Sequence, residues 1–131
     1  MQAYLAIKYH ADNRNRPLIE AISAALAQVG FETVCIIRDV EQWGAVHLSP
    51  EALMRASFAA LADSDLLVVE LSEKGVGIGI EAGYAYATGI PIVTIARRGA
   101  DISTTLRGIS QRVGWYDGYD EVVELVGPFA R

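Results

Sequence analysis

The sequence predicts a doubly wound α/β domain, a five-stranded parallel sheet of order 2-1-3-4-5 with helices on both faces. Three observations predict it. Short apolar runs alternate with segments of helical periodicity along the whole chain. The run over residues 66–71, broken only by Glu70, has the continuous apolar character of a strand covered on both faces. A capping serine, a first-turn proline and terminal glycines fall where helices should start or stop.

The elements follow in order. Residues 3–7 read as the first strand. Residues 16–29 read as a helix with Leu18, Ile19, Ile22, Leu26 and Val29 on one stripe, stopped by Gly30. Residues 33–37 read as the second strand. Ser49-Pro50-Glu51 opens a helix that runs to about residue 62, with serine as N-cap and proline in the first turn. The third strand, over 66–71, is followed by a glycine-rich turn over 75–79 and a helix ending near Thr88 and Gly89. Residues 91–96 are the fourth strand. A short helix over 104–109, a weak strand near 113–116, and a helix capped by Asp120 and ending before Pro128 complete the chain. This β-α-β-α order implies parallel strands with right-handed crossovers. Five strands at this size favour the flavodoxin-like order. With no repeat, low-complexity segment or linker, residues 1–131 read as one domain.

Composition narrows the function. The chain has 131 residues, of which 52% are hydrophobic and 21% charged, so it can bury a core and is far from disordered. A formal charge of −5 argues against a nucleic-acid polymer as partner, because phosphate backbones demand a basic footprint. A single nucleotide held by a local basic loop remains open. Cys35 is the only cysteine, with neither a disulfide partner nor metal-ligand spacing, and reads as a small buried hydrophobe. The start, Met1-Gln2-Ala3-Tyr4, lacks a signal-like pattern, and no apolar run approaches the ~18–20 residues that span a bilayer. The expectation is a cytoplasmic protein that does not enter membranes.

In such sheets ligands bind beyond the carboxyl ends of the strands, where the strand order reverses. That point lies between strands one and three, where the loops over 8–15 and 72–79 meet. The first loop and the residue after it carry Lys8, Arg14, Arg16 and His10, a basic group that suits an anion, although exposed charge needs no function. Gly75-Val76-Gly77-Ile78-Gly79 can present backbone N–H groups at a helix N-terminus. It carries neither the dinucleotide fingerprint nor the lysine and hydroxyl of a P-loop, and a tight strand-to-helix turn would need glycine anyway. Glu81 decides the reading. It is the only Asp, Glu, Lys or Arg among the 22 residues from Gly75 through Ala96. A lone carboxylate in apolar surroundings costs several kcal/mol unless it is paired or functional. Placed in the first turn of its helix, its anion would gain roughly 0.3–1 kcal/mol from the dipole and stay ionised, as a nucleophile requires. The bland alternative is a glutamate that merely satisfies first-turn N–H groups. Tyr84, Ala85 and Thr88 share its face, which implies a partly aromatic pocket. Glu70 reads as a sheet-edge residue or an arginine partner. Gly79, Gly83 and Ala87 form a small-residue stripe suited to close packing.

The segment Ser64-Asp65-Leu66-Leu67-Val68-Val69-Glu70-Leu71-Ser72, followed by Gly77-Ile78-Gly79-Ile80-Glu81-Ala82-Gly83, resembles the nucleoside 2-deoxyribosyltransferase superfamily. Within it the likeness is greater to the nucleoside 5′-monophosphate N-glycosidases. Gly89-Ile90-Pro91-Ile92-Val93 and Ile102-Ser103-Thr104-Thr105-Leu106-Arg107-Gly108 continue the match. Upstream, Trp43-Gly44-Ala45 and Leu48-Ser49-Pro50 resemble the second-loop region of cytidylate-hydrolysing members. The resemblance implies that Glu81 attacks the anomeric carbon of the sugar and displaces the base, and that water or a second base resolves the glycosyl-enzyme. It implies a homodimer or higher homo-oligomer in which Ser103 reaches the neighbour's site, and a substrate lined by Tyr4. It implies no metal or other cofactor.

Three positions depart from the pattern. Ser57 stands where the family usually has an aspartate, Lys8-Tyr9-His10-Ala11-Asp12 replaces its glycine-rich phosphate loop, and Gly75 stands where a serine helps bind phosphate. The expected site is therefore Glu81 as nucleophile, with Tyr4, Lys8, His10, Trp43, Ser57, Gly75, Gly77, Gly79, Tyr84 and Ser103 around a nucleoside or nucleotide, and Arg14 as a further candidate for phosphate. The alternative is a sensor module that keeps the pocket without turnover. A phosphoacceptor regulator would need acidic residues after strand one and an aspartate ending strand three, where Lys8 and Ser72 stand.

Overall fold

The computed structural model describes residues 1–131. Its elements are β1 (Gln2–Ala6), α1 (Arg16–Gln28), β2 (Glu32–Val34), α2 (Ile36–Asp39), α3 (Pro50–Ala62), β3 (Leu66–Glu70), α4 (Val76–Thr88), β4 (Ile92–Arg97), α5 (Thr104–Ile109), β5 (Arg112–Tyr116) and α6 (Tyr119–Val126). The strands form one five-stranded sheet of order β2-β1-β3-β4-β5, every pair parallel. The expected fold class and strand order are both present. No helix is long and apolar enough to cross a membrane.

Period-two alternation splits the core into two layers. Ala3 and Leu5 of β1 face a cluster with Ile19, Ile22 and Leu26 of α1 and Val122 and Val126 of α6. Tyr4 and Ala6 face the other side, with Leu61 of α3, Ile78, Ala82 and Ala85 of α4, and Leu106 of α5. Every residue of β3 is buried, as its unbroken apolar run implied. The alternation matters for function, because it directs Tyr4 to the α4 side.

Helix ends follow local chemistry. The Ser49 hydroxyl accepts from the Ala52 N–H at 3.2 Å and caps α3. Gly89 ends α4 at φ +79°, a left-handed conformation that glycine adopts without a Cβ penalty.

Four details differ from the expectations. The second strand stops at Val34, and the chain turns helical at Ile36. Asp39 drives the turn, because its carboxylate accepts the Cys35 N–H at 2.9 Å and its own N–H donates to the Cys35 carbonyl. Cys35 itself is buried, as expected. The last helix is capped at Gly118, with Asp120 inside its first turn, and the Glu121 side chain reaches back to the Asp117 N–H at 2.9 Å. Glu70 lies on the central strand, 2% exposed, and pairs with no arginine. Its carboxylate accepts from the Ser72 N–H at 2.6 Å, the Ser72 hydroxyl at 2.9 Å and the Tyr116 hydroxyl, neutral donors that satisfy a buried charge. Finally, the stripe of Gly79, Gly83 and Ala87, expected to pack on the sheet or on another helix, is exposed and does not face the sheet, and a Cβ added at Gly79 or Gly83 would meet nothing within 4 Å.

Candidate active site

A cavity of about 190 Å³ opens at the carboxyl ends of β1 and β2, beside the start of α4. Only its α4 side borders the β1–β3 switch point expected for the strand order; the rest lies over the ends of β1 and β2. Tyr4, Lys8, Ser57, Gly75, Gly77 and Glu81 line it, together with the apolar Ile36, Ile37, Leu53, Met54 and Ile78.

Glu81 is partly buried in the cavity wall. Its Oε2 accepts a hydrogen bond from the Tyr4 hydroxyl, and no other side chain bonds to it. It sits on the sixth residue of α4, beyond the first turn, because the helix begins at Val76 and takes Gly77 and Gly79 into its opening turn. The expectation of dipole-assisted ionisation therefore fails, since the dipole's pull fades past that turn. Burial dominates and lifts the Glu81 carboxyl to about 7, while the Tyr4 hydrogen bond holds it down. Near neutral pH the group exists in both forms. The same burial, with Glu81 beside it, drives the Tyr4 hydroxyl far above its ordinary range, so Tyr4 stays a donor.

Ser57 lies one helix away, buried, and its hydroxyl donates to the Leu53 carbonyl at 2.9 Å. Lys8 has no partner for its ammonium group. A Cβ added at Gly75 would stand 3.4 Å from the Lys8 Cδ, so a small residue there lets the lysine stem lie across the start of α4. The opening N–H groups of that helix have no intrahelical acceptors and lie on the same side.

Other expected residues lie outside this cavity. His10 pairs with Glu73 at 2.9 Å, and Arg14 pairs with Asp12 at 3.0 Å. Trp43 stands under the Arg16 guanidinium, 4.6 Å from the ring centroid, and packs against the α1 side of the core. Tyr84 stacks on Phe58 with centroids 4.9 Å apart, so the aromatic members of the cavity are Tyr4 and Tyr9 instead. Gly79 and Ser103 also fall outside, Ser103 at the N-cap of α5. Conversely, Ile36, Ile37, Glu41, Leu53 and Met54 form a wall the sequence did not reveal. Ile36 and Ile37 were hidden inside an expected strand, and nothing marks Glu41 among the exposed acids. No group of three or more His, Cys, Asp or Glu side chains is placed to hold a metal ion.

No family model matches the chain. It is 26% identical over 134 residues to a protein of Thermofilum pendens named "Putative 2′-deoxynucleoside 5′-phosphate N-hydrolase 1", covering 95% of this chain and 91% of that one. Among solved structures it is similar to the CMP N-glycosidase of Clostridium botulinum, at 19% identity and a TM-score of 0.70, covering 98% and 99% of the two chains. It is also similar to the 2-deoxyribosyltransferase of Bacillus psychrosaccharolyticus, at 16% identity and a TM-score of 0.75, covering 94% and 90%. The chain is thus similar in sequence to a protein named as a nucleotide N-hydrolase, and it shares the fold of an N-glycosidase and a 2-deoxyribosyltransferase.

Proposed function

We propose that the protein is a cytoplasmic enzyme that cleaves, or transfers across, the N-glycosidic bond of a nucleoside or nucleoside 5′-monophosphate, with Glu81 as nucleophile. One observation carries the reading: a carboxylate in a cavity wall is held by a tyrosine through one oxygen, while its other oxygen is unengaged. The unengaged oxygen bonds to the anomeric carbon as the carbon–nitrogen bond breaks. The bonding pair leaves with the base, which takes a proton from water. Water, or a second base, then attacks the same carbon and returns the pair to Glu81, retaining the configuration. Tyr4 fixes the carboxylate's direction throughout.

The names of the relatives support this class of substrate. Lys8 and the opening turn of α4 suit a 5′-phosphate, an anion that a helix N-terminus and an unpaired ammonium both favour. His10 and Arg14 are engaged elsewhere. A homodimer is part of the proposal. Val76, Ile80 and Tyr86 of α4 are 83%, 45% and 60% exposed, and exposed Gly79, Gly83 and Ala87 lie beside them, a face on which a second copy can approach closely.

The test is a panel of nucleosides and 5′-monophosphates assayed for free base by chromatography. Base release that Glu81→Ala abolishes, with circular dichroism unchanged, supports the reading. An undiminished rate in that variant overturns it. Tight binding without turnover would instead establish the sensor reading, which Ser57 in place of a second carboxylate favours.

A further inference from the structure

We propose that Glu41 reads the nucleobase, its carboxylate accepting a hydrogen bond from the exocyclic amine of an aminated base such as cytosine or adenine. The inference rests on the reading of the cavity as a nucleoside site, and it adds what selects the base.

The cavity has two sides, set by strand order. On the β1–β3 side stand Lys8 and the start of α4, where charge favours an anion. On the outer β2 side stand Ile36, Ile37, Leu53 and Met54, whose apolar side chains suit the faces of a flat ring. Glu41 is the one charged residue on that side. Its backbone is fully engaged: the N–H donates to the Ile36 carbonyl at 2.9 Å, and the carbonyl accepts from Gly44 and Val46, each at 3.0 Å. Its position is therefore fixed, while its carboxylate has no hydrogen bond or ion pair within the chain. Partial burial lifts its carboxyl above the ordinary range, with His47 opposing the shift, so the group is already partly stripped of water.

A carboxylate can only accept. Facing an exocyclic amine it gains a charge-assisted hydrogen bond. Facing the carbonyl that uracil or hypoxanthine carries at the same position, it meets a second acceptor and loses its water for nothing; the only donor these bases offer on that edge is the adjacent ring N–H, which lies deeper along the ring and out of line with a carboxylate placed for the exocyclic amine. The arrangement accordingly favours one member of each isosteric pair.

The experiment measures kcat/KM for deoxycytidine against deoxyuridine 5′-monophosphate, and deoxyadenosine against deoxyinosine 5′-monophosphate, with the corresponding nucleosides alongside. Calorimetric binding of all of them to Glu81→Gln is measured in parallel. The expected result is a preference of about ten- to a hundredfold for the aminated member of each pair. Glu41→Ala should bring that ratio to within about threefold. Glu41→Gln, whose amide can also donate, should narrow it mainly by improving the carbonyl-bearing substrates. A flat preference in the wild type overturns the proposal, as does a ratio unchanged in Glu41→Ala. So does a loss shared equally by both members of a pair, which would mark a structural or acid–base role. If no base is released from any substrate, the glycosidase reading fails, while the binding ratios still decide the role of Glu41. Absence of binding by every probe overturns both.

Discussion

Replacing Glu81 with glutamine should make the protein more stable at alkaline pH while removing its activity. The carboxyl moves from an ordinary 4.5 to about 7 on folding, chiefly through burial. Between those two values the folded state binds more protons than the unfolded one, so this group's contribution to stability falls as pH rises from about 4.5 to about 7 and is flat above. At about 1.4 kcal/mol per pH unit the full destabilisation is roughly 3 kcal/mol. Because Glu81 borders an open cavity, water discounts this to about 1–2 kcal/mol. Glutamine fills the same volume, keeps an acceptor for the Tyr4 hydroxyl, and has no charge to desolvate. For a chain of this length the gain should appear as a rise in Tm of about 4–8 °C at pH 8. The rise should shrink steadily below pH 7 and vanish near pH 4, where glutamate is protonated in both states. Thermal melts of the two proteins across that range are the assay. Equal melting temperatures at pH 8, or a gap that does not change with pH, would refute the claim that an uncompensated buried charge is maintained at this position.

The remaining predictions concern the same cavity and the α4 face. In the wild type, kcat/KM for base release should rise with pH through about 7, because in the proposed mechanism only ionised Glu81 attacks. Tyr4→Phe removes the hydrogen bond that holds the Glu81 carboxyl down, so the acid limb of that profile should move to higher pH, which a pH–rate series reads directly. Lys8→Ala should raise KM for 5′-monophosphates by about ten- to a hundredfold, the worth of a charge-assisted hydrogen bond, and leave nucleosides unaffected in the same steady-state assay. Ile80→Lys should convert the proposed dimer to a monomer in analytical ultracentrifugation, by placing two like charges on the face proposed as its contact.

The parts of this fold that were legible in the sequence are those in which one segment's own pattern decides the outcome. The unbroken run of β3, the stripe of α1 ended by Gly30, the Ser49 cap and the α5 boundaries all follow from local periodicity and turn chemistry. What was illegible depends on partners distant in sequence or on a side-chain hydrogen bond. Thr33, Val34, Cys35, Ile36 and Ile37 read as one strand by composition, yet the Asp39 carboxylate turns the chain after Cys35 and so brings Ile36 and Ile37 into the cavity wall. Glu70 looked like an edge residue because its donors include Tyr116, 46 residues away. The glycines at 77 and 79 suggested a loop, but glycine tolerates a helix at a cost of roughly 1 kcal/mol, and packing of Ile78, Ala82 and Ala85 outweighs it.

The position of Glu81 in α4 bears on the chemistry. A first-turn glutamate would be ionised cheaply and would be a weak nucleophile for the same reason, since a stabilised anion has less to gain by forming a bond. Beyond that turn, the carboxylate has one donor, Tyr4, and a largely apolar cavity lining. In the proposed mechanism its negative charge is poorly solvated before attack, and forming the bond to the anomeric carbon would disperse that charge. Burial thus lowers the fraction ionised at neutral pH while raising the reactivity of the ionised form, and a value near 7 balances the two at the pH of the cell. Tyr4 sets the balance point. A second donor brought toward Glu81, by changing Ser57 on the same cavity wall to a longer amide-bearing side chain such as Gln, should push the carboxyl down, widen the active pH range at its acid end, and lower the plateau rate. A plateau that rose instead would mean the charge is already adequately solvated, and that the enclosure of Glu81 serves packing alone.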